Sequence, residues 1–167
     1  IRRMKSNNNN ITAEVSPHHL YFNDTYLLDY DTNMKVAPPI RAEKDRQALI
    51  KGLKDGTIDC VATDHAPHRL EEKETTFDIA SCGMIGLESC FGAINKVLCK
   101  DNGFKLEKVI ELITVNPRKI MQFNQDLFAL DSLAEITIID HKKDWKFSKK
   151  DIKSKSQNSA FIGNPLY

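Results

Sequence analysis

A short apolar, β-branched segment that leads directly into acidic and imidazole side chains is the feature that most constrains this sequence. Residues 58–62 form the apolar run, and Asp55-Gly56 before it is typical of a turn. Such a run is typical of a strand buried on both faces of a parallel sheet. Ligands of α/β folds bind beyond the carboxyl ends of parallel strands, where Asp64 follows. Asp64 is therefore a candidate metal ligand, general base or helix cap.

Two histidines, His65 and His68, follow Asp64 in the same loop. Taken alone, such a group is more often a capped turn with ordinary packed or surface histidines than a functional site. Here the loop comes directly after a predicted strand, and Pro67 stiffens it by fixing its own φ. The context therefore favours a functional loop.

The rest of the sequence predicts alternating helices and strands. A helix end and a loop are expected over residues 1–10, and strands at 11–15 and 58–62. The amphipathic helix 43–54 joins these strands into a parallel β-α-β unit. A polar loop is expected at 69–85. Further helices are expected at 86–100, around 106–113 and from Asn116-Pro117, followed by a strand at 134–140. His18 and His19 are expected to lie on opposite faces of a strand, with packing and hydrogen-bonding roles.

Composition and charge exclude several classes of function. The 167 residues carry 24 basic and 23 acidic side chains, which favours neither nucleic acid nor an acidic membrane surface as a partner. No membrane-spanning run or signal peptide is visible. The four cysteines lack C-x-x-C spacing and suit a reducing cytoplasm. The lysines between 142 and 155 are expected to form a solvated face.

Several sequence blocks occur in an order that resembles the class I dihydroorotases, which are cyclic amidohydrolases of the amidohydrolase superfamily. The resemblance covers almost the whole chain and is weakest beyond about residue 140. Its blocks are Ala13-Glu14-Val15-Ser16-Pro17-His18-His19-Leu20, Pro38-Pro39-Ile40-Arg41, Thr57-Ile58-Asp59-Cys60-Val61-Ala62-Thr63-Asp64-His65-Ala66-Pro67-His68 with Glu71-Glu72-Lys73, Gly83-Met84-Ile85-Gly86-Leu87-Glu88, Asn116-Pro117 and the segment 134–140.

The resemblance implies an α/β fold, the C-terminal part of a metal-dependent (β/α)8 amidohydrolase barrel. Residues 1–122 would supply the last two barrel strands with their helices, and residues 123–167 an incomplete segment of a flanking β-sandwich. A complete barrel of this kind needs about 250 residues. The parent enzyme would be a cytoplasmic hydrolase of cyclic amides that interconverts N-carbamoyl-L-aspartate and dihydroorotate in pyrimidine biosynthesis.

The same resemblance implies roles for individual residues. Asp64 would bind metal and act as the catalytic acid and base, and Glu14 and His65 would lie beside the metal centre without contacting substrate. The substrate-binding residues would be His68, Cys82 and Gly83. Ala37 stands where relatives commonly carry an asparagine that contacts the substrate.

The implied cofactor is a pair of divalent metal ions, expected to be zinc, most of whose ligands would precede this chain. We therefore expect the chain alone to bind no metal tightly and to be inactive. The expected partners are a small-molecule substrate and either aspartate transcarbamoylase or a second copy of the enzyme. Two alternatives remain open, a non-catalytic scaffold for aspartate transcarbamoylase and another cyclic amidohydrolase such as an allantoinase or hydantoinase.

Overall fold

The computed structural model describes residues 1–7, 10–126, 128–131 and 133–167. Helices and short strands alternate along them. The α-helices are Arg2–Lys5 (α1), Pro17–Tyr21 (α2), Glu43–Lys54 (α3), Leu70–Lys73 (α4), Cys90–Ile94 (α5), Leu106–Ile113 (α6) and Val115–Ile120 (α7), and a π-helix, Asn95–Lys100, continues α5. The strands are Glu14–Val15 (β1), Cys60–Val61 (β2), Trp145–Lys146 (β3) and Pro165–Leu166 (β4), and 3-10 turns occupy Asp24–Leu27, Thr32–Met34 and Lys149–Asp151.

The predicted β-α-β unit is present. β1 and β2 pair in parallel, with Glu14 opposite Cys60 and Val15 opposite Val61. Between them α3 has the predicted bounds, because acidic residues occupy its first turn and lysines its last, which complements the helix dipole. The unit ends both strands at the same edge, the edge from which the Asp64 loop leaves.

The first hydrophobic core lies between this unit and the helices that follow it. Its members are buried and come from β1, α2, α3, β2 and the segment just before it, α5 with its π-helical continuation, and α6: Val15, Leu20, Ile50, Leu53, Ile58, Val61, Ile94, Val97, Leu98, Val109 and Leu112. The apolar stripes predicted for the helices near 86–100 and 106–113 face this core only in part: Ile94, Leu98 and Val109 are buried in it, whereas Leu87 is 59% exposed. Burial of the core side chains holds the strand ends, and hence the loop after β2, in a fixed place.

The second hydrophobic core joins the end of the chain to the segments around the loop after β2. Phe161 contacts Phe22 with ring centroids 4.9 Å apart, and Leu166 lies so close to Gly92 that a Cβ there would be 3.0 Å from the Leu166 Cβ. The other members are Met34, Val36, Ile40, Met84, Ala93, Phe147 and Ala160. Residues on both sides of the predicted domain boundary at 122/123 share this core, and the boundary itself stays a prediction.

Some sequence predictions are wrong. Residues 134–140 form no strand, and Ile136 and Ile138 are 71% and 94% exposed, because none of the described segments pairs with them. His18 and His19 lie in α2, where Pro17 suits the first helical turn. α5 begins only at residue 90, and α4 lies within the predicted loop 69–85. α1 agrees with the helix end expected before residue 10, while positions 8–9 lie outside the described residues.

The surface agrees with the charge pattern in the sequence. The lysines predicted to form a solvated face are all exposed, namely Lys142, Lys143, Lys146, Lys149, Lys150, Lys153 and Lys155. Among the residues described, none of the helices is both long enough and apolar enough to cross a bilayer.

Glu88 gives the fold a dependence on pH. One of its carboxylate oxygens accepts hydrogen bonds from the Lys153 and Ser154 amides and from the Ser154 hydroxyl, at 2.6–2.9 Å. Partial burial raises the pKa of Glu88, but these hydrogen bonds outweigh it and lower the pKa from 4.5 to about 2. Glu43 also has a pKa of about 2, chiefly because Arg46 and Asn23 donate to it.

A carboxylate with a lowered folded-state pKa stabilises the fold above the unfolded-state pKa, and that stabilisation is lost as the pH falls through the folded-state pKa. We expect the free energy of unfolding to decrease between pH 4.5 and about 2. Glu88→Gln should flatten this decrease, and the double variant with Glu43→Gln should flatten it further. Urea denaturation at a series of pH values measures the free energy of unfolding. An equal decrease with falling pH in the wild type and the double variant would contradict the prediction.

Candidate active site

Asp64 lies three residues beyond β2, at the carboxyl end of the parallel strand pair. Its backbone is left-handed, with φ +49°, and its side chain is 53% exposed. It borders an open cavity of about 620 Å³ that also contains Glu14 of β1. The other lining residues are Val15, Ser16, His19, Ala37, Pro38, Pro39, Arg41, Asp45, Ala48, Leu49 and Ala62. Glu14 and Asp64 therefore border one cavity at the carboxyl ends of the two strands.

His18 lies behind Asp64. It is 1% exposed, neither ring nitrogen has a hydrogen-bond partner, and its Nε2 is 3.7 Å from the Asp64 Oδ2. Burial, together with neighbouring His19, lowers the pKa of His18 to about 3, so the ring is neutral near pH 7 and forms no ion pair with Asp64. The hydrogen-bonding role predicted for His18 is therefore wrong, although its packing role is right. His19 does have partners, the Ser16 hydroxyl at 2.6 Å and the Pro38 carbonyl at 2.8 Å.

His65 contacts the chain segment that follows the Cys82-Gly83 turn. Its Nδ1 accepts hydrogen bonds from the amides of Gly86 and Leu87 at 3.2 and 3.3 Å, and its backbone pairs with Met84 in parallel. The ring thus joins the Asp64 loop to residues 84–87.

His68 contacts the turn itself. Its Nε2 donates to the Cys82 carbonyl at 2.9 Å, and its Nδ1 lies 3.3 Å from the Glu72 Oε2. The Arg69 amide, and then the His68 ring, lower the pKa of the Glu72 carboxyl. Because both neighbours of the ring are acceptors, both contacts are hydrogen bonds only when the ring carries two protons. His68 borders a second cleft, of about 730 Å³, and not the cavity of Asp64.

The turn and the loop approach each other closely at Gly83. Its φ is +131°, and a Cβ at this position would lie 2.6 Å from the Ala66 Cβ and 3.0 Å from the His68 Nε2. Its amide donates to the Lys35 carbonyl at 2.8 Å, and its carbonyl accepts from the Lys73 Nζ at 2.9 Å. A substrate that hydrogen-bonds these same backbone groups would have to share or replace these partners.

Sequence reasoning assigned no role to two buried polar residues beside this turn. Lys73 is 5% exposed and donates to the carbonyls of Ser81 and Gly83, at 2.8 and 2.9 Å. Asn158 is 5% exposed and contacts both the turn and the loop. Lys73 follows the paired glutamates of the dihydroorotase-like block and could have been singled out there. Asn158 lies in the weakly matching end of the chain, where a single asparagine carries no signal.

The predicted zinc site is not formed by this chain's described residues. Within residues 1–7, 10–126, 128–131 and 133–167, no three His, Cys, Asp or Glu side chains come together in a group that could hold a metal ion. Asp64 can supply one carboxylate ligand, and the unpaired His18 Nε2 lies near it. One carboxylate and one imidazole do not complete a catalytic site, which takes at least three protein ligands.

Comparison with known sequences shows relatives along nearly the whole chain, although no family model matches it. The chain is 42% identical over 157 residues to a dihydroorotase of Caldicellulosiruptor saccharolyticus and 44% identical over 156 residues to one of Elusimicrobium minutum. These matches cover 94% and 93% of the chain. The chain spans only 36% of the length of either relative.

Comparison with solved structures shows the fold. The chain superposes over 99% of its length on L-hydantoinase from Arthrobacter aurescens with a TM-score of 0.83, at 24% identity and over 38% of that chain. A dihydroorotase from Saccharomyces cerevisiae, solved in complex with 5-fluoroorotic acid, gives a TM-score of 0.70 at 18% identity, over 99% of this chain and 46% of that one.

These structural matches confirm the predicted fold class, part of an amidohydrolase (β/α)8 barrel. The sequence matches are more specific, since they run through the β1 segment, the Asp64 loop and the Cys82-Gly83 turn alike. With its acidic residues at the ends of paired parallel strands and with these relatives, the chain belongs to the dihydroorotase family.

Proposed function

We propose that the complete polypeptide containing this chain is a dihydroorotase that interconverts N-carbamoyl-L-aspartate and dihydroorotate. The observation that carries the proposal is the coincidence of two features in one matched region. Relatives named dihydroorotase are 40–44% identical over 93–99% of the chain, and within it Asp64 faces an open cavity at the end of a parallel strand pair. The activity is assigned to the complete polypeptide because the chain spans about a third of those relatives.

Asp64 is the proposed acid and base. Opening the ring requires water to attack the amide carbonyl and lose a proton, while the ring nitrogen leaves and gains one. A half-exposed carboxylate at the cavity wall can take the first proton and deliver it to the nitrogen, so that the two steps balance. Its left-handed backbone directs the loop away from the strand immediately, which leaves the side chain at the mouth of the cavity.

The remaining site residues have supporting parts in this proposal. His68, which borders the neighbouring cleft, and the Cys82-Gly83 turn would contact the substrate, and Glu14 and His65 would hold the surroundings of Asp64. The cofactor would be zinc, with Asp64 as one ligand and with others from outside the described residues. Aspartate transcarbamoylase and a second copy of the enzyme are the proposed protein partners, and the cytoplasm is the proposed location.

An assay of the complete polypeptide tests the function. Dihydroorotate, hydantoin and allantoin are offered separately with added zinc, and carbamoyl-aspartate is offered for the reverse reaction. Ring opening and ring closure are followed by ultraviolet absorbance. Turnover of dihydroorotate and of carbamoyl-aspartate, at rates well above those for the other two rings, is expected. Preference for hydantoin or allantoin would assign a different cyclic amidohydrolase. No turnover of any ring, together with co-purification of aspartate transcarbamoylase, would favour the scaffold.

The isolated 167-residue chain should neither bind zinc tightly nor turn over dihydroorotate. Asp64 provides a single carboxylate ligand, and structural and catalytic zinc sites take three or four protein ligands. Isothermal titration with zinc, beside the complete polypeptide as the matched control, measures the difference. Stoichiometric binding to the isolated chain with an affinity equal to that of the complete polypeptide would contradict this expectation.

A further inference from the structure

The segment Ser156–Asn158, here called the 156–158 clamp, contacts both backbone groups of His68. The His68 amide donates to the Asn158 Oδ1 at 3.1 Å, and the His68 carbonyl accepts from the Ser156 hydroxyl at 2.5 Å. The clamp is 88–90 residues away from His68 in sequence. The position of this proposed substrate-binding residue is therefore set from the far end of the chain and not by its own loop alone.

Asn158 also bonds to the other side of the site. Its Nδ2 donates to the Ala66 carbonyl at 3.0 Å and to the Gly83 carbonyl at 3.2 Å. Its backbone carbonyl accepts from the Ile85 amide at 2.9 Å. One buried side chain thus spans the distance between the Asp64 loop and the Cys82-Gly83 turn.

An asparagine side chain matches its three contacts with backbone groups, and its Oδ1 also contacts the Ser156 hydroxyl. The acceptor faces an N–H group and the two donor hydrogens face two carbonyls, so every partner receives the group it requires. An aspartate would set a carboxylate against two carbonyl oxygens. An alanine would leave the His68 amide and the Ala66 carbonyl without this partner in a buried place, while the Gly83 carbonyl would keep its hydrogen bond from Lys73. The amide therefore fixes the separation of loop and turn as well as joining them.

We propose that Asn158 is a positioning residue of the dihydroorotase site, one that holds His68 and the Gly83 turn at the spacing the substrate requires. The inference rests on the proposed function. Apart from the Ser156 hydroxyl beside its Oδ1, the Asn158 side chain bonds to backbone groups, and it acts through the residues it holds. Lys73 supports the same turn from the other side, because its Nζ donates to the Gly83 carbonyl as well.

The test compares Asn158→Ala with Asn164→Ala in the complete polypeptide. Asn164 is the matched control, because its amide donates to the Ala160 carbonyl at 2.9 Å within the same segment and contacts neither loop nor turn. Asn158→Ala should lower kcat/KM by about 10²-fold, the loss that a misplacement of about 1 Å causes. Most of the loss should be a rise in KM, because the clamp holds groups that bind substrate. Asn164→Ala should leave KM within about twofold of wild type, since it changes no site contact.

A second readout does not depend on activity. Amide hydrogen exchange of the peptide covering residues 64–70 should become faster in Asn158→Ala, because His68 loses the acceptor for its amide, while residues 43–54 of α3 should be unchanged. Should Asn158→Ala not fold, Asn158→Asp repeats both measurements with a side chain of the same size.

The possible outcomes distinguish failure of the positioning role of Asn158 from failure of the proposed dihydroorotase activity. A wild type that turns over no ring defeats the proposed function, and the exchange of residues 64–70 then still decides whether Asn158 holds the loop. An active wild type whose Asn158 variants have lower thermal stability but unchanged KM would overturn the positioning role. Failure of both variants to fold would make Asn158 a folding residue and overturn it too.

Discussion

Replacing Asp64 with asparagine in the complete polypeptide should lower kcat by about 10²–10⁴-fold, the range for loss of a general acid or base. The amide cannot take the proton from the attacking water or return it to the ring nitrogen. The fold should tolerate the change, because the side chain is 53% exposed and asparagine also accepts the left-handed backbone at φ +49°. Steady-state kinetics and a thermal melt of the same preparation measure both effects.

The matched control is Asp131→Asn. Asp131 is another exposed aspartate with a left-handed backbone, φ +63°, so the control repeats the chemical change and its backbone context away from the cavity. It should keep kcat and the melting temperature of the wild type. Asp64→Asn with nearly normal kcat would show that Asp64 is not the acid and base, whatever its position.

Gly83→Ala should destabilise the fold by about 2–6 kcal/mol and abolish most activity. The new Cβ would lie 2.6 Å from the Ala66 Cβ, and the backbone at φ +131° is strained for any residue with a side chain. Overpacking costs about 1–3 kcal/mol, and an unfavourable backbone conformation about 1–3 kcal/mol more. To relieve the contact the turn must move away from Ala66 and His68, which opens the site. Urea denaturation and the dihydroorotate assay measure the two effects.

Gly103→Ala separates the cost of the backbone conformation from the cost of the close contact. Gly103 also has a left-handed backbone, φ +67°, but a Cβ there would meet nothing within 4 Å. This variant should therefore lose only the backbone contribution, about 1–2 kcal/mol, and keep its activity. If the two variants were equally stable and equally active, close contact at Gly83 would not be what requires a glycine there.

Local patterns in the sequence predicted the elements whose structure depends on local physics. The amphipathic spacing and the turn at Asp55-Gly56 gave α3 its bounds, and the apolar run before Asp64 predicted β2, although only Cys60 and Val61 pair as a strand. The segment 134–140 shows the limit of this approach. Its β-branched residues suit a strand, but a strand also requires a neighbour to bond with, and no pattern within the segment reveals whether one is present.

The candidate site likewise contains some residues that a local pattern predicts and others that it does not. A motif predicted Asp64, His65 and His68, because these residues are consecutive or nearly so along the chain. Asn158 reaches them only through the tertiary fold, so its role depends on contacts that no local spacing encodes. The hydrogen-bonding role predicted for His18 was wrong for another reason. The helix that contains His18 buries the ring without giving either nitrogen a partner.

The second hydrophobic core has a consequence for biosynthesis. The Tyr21 hydroxyl donates to the Pro165 carbonyl at 2.8 Å across 144 residues, and Phe22 meets Phe161 in the same region. Contacts of such long range form late, because the intervening chain must first be available and its ends brought together. During translation the loop after β2 therefore lacks its contacts with Ser156 and Asn158 until those residues have left the ribosome. A nascent chain arrested before them would be a target for proteases at that loop.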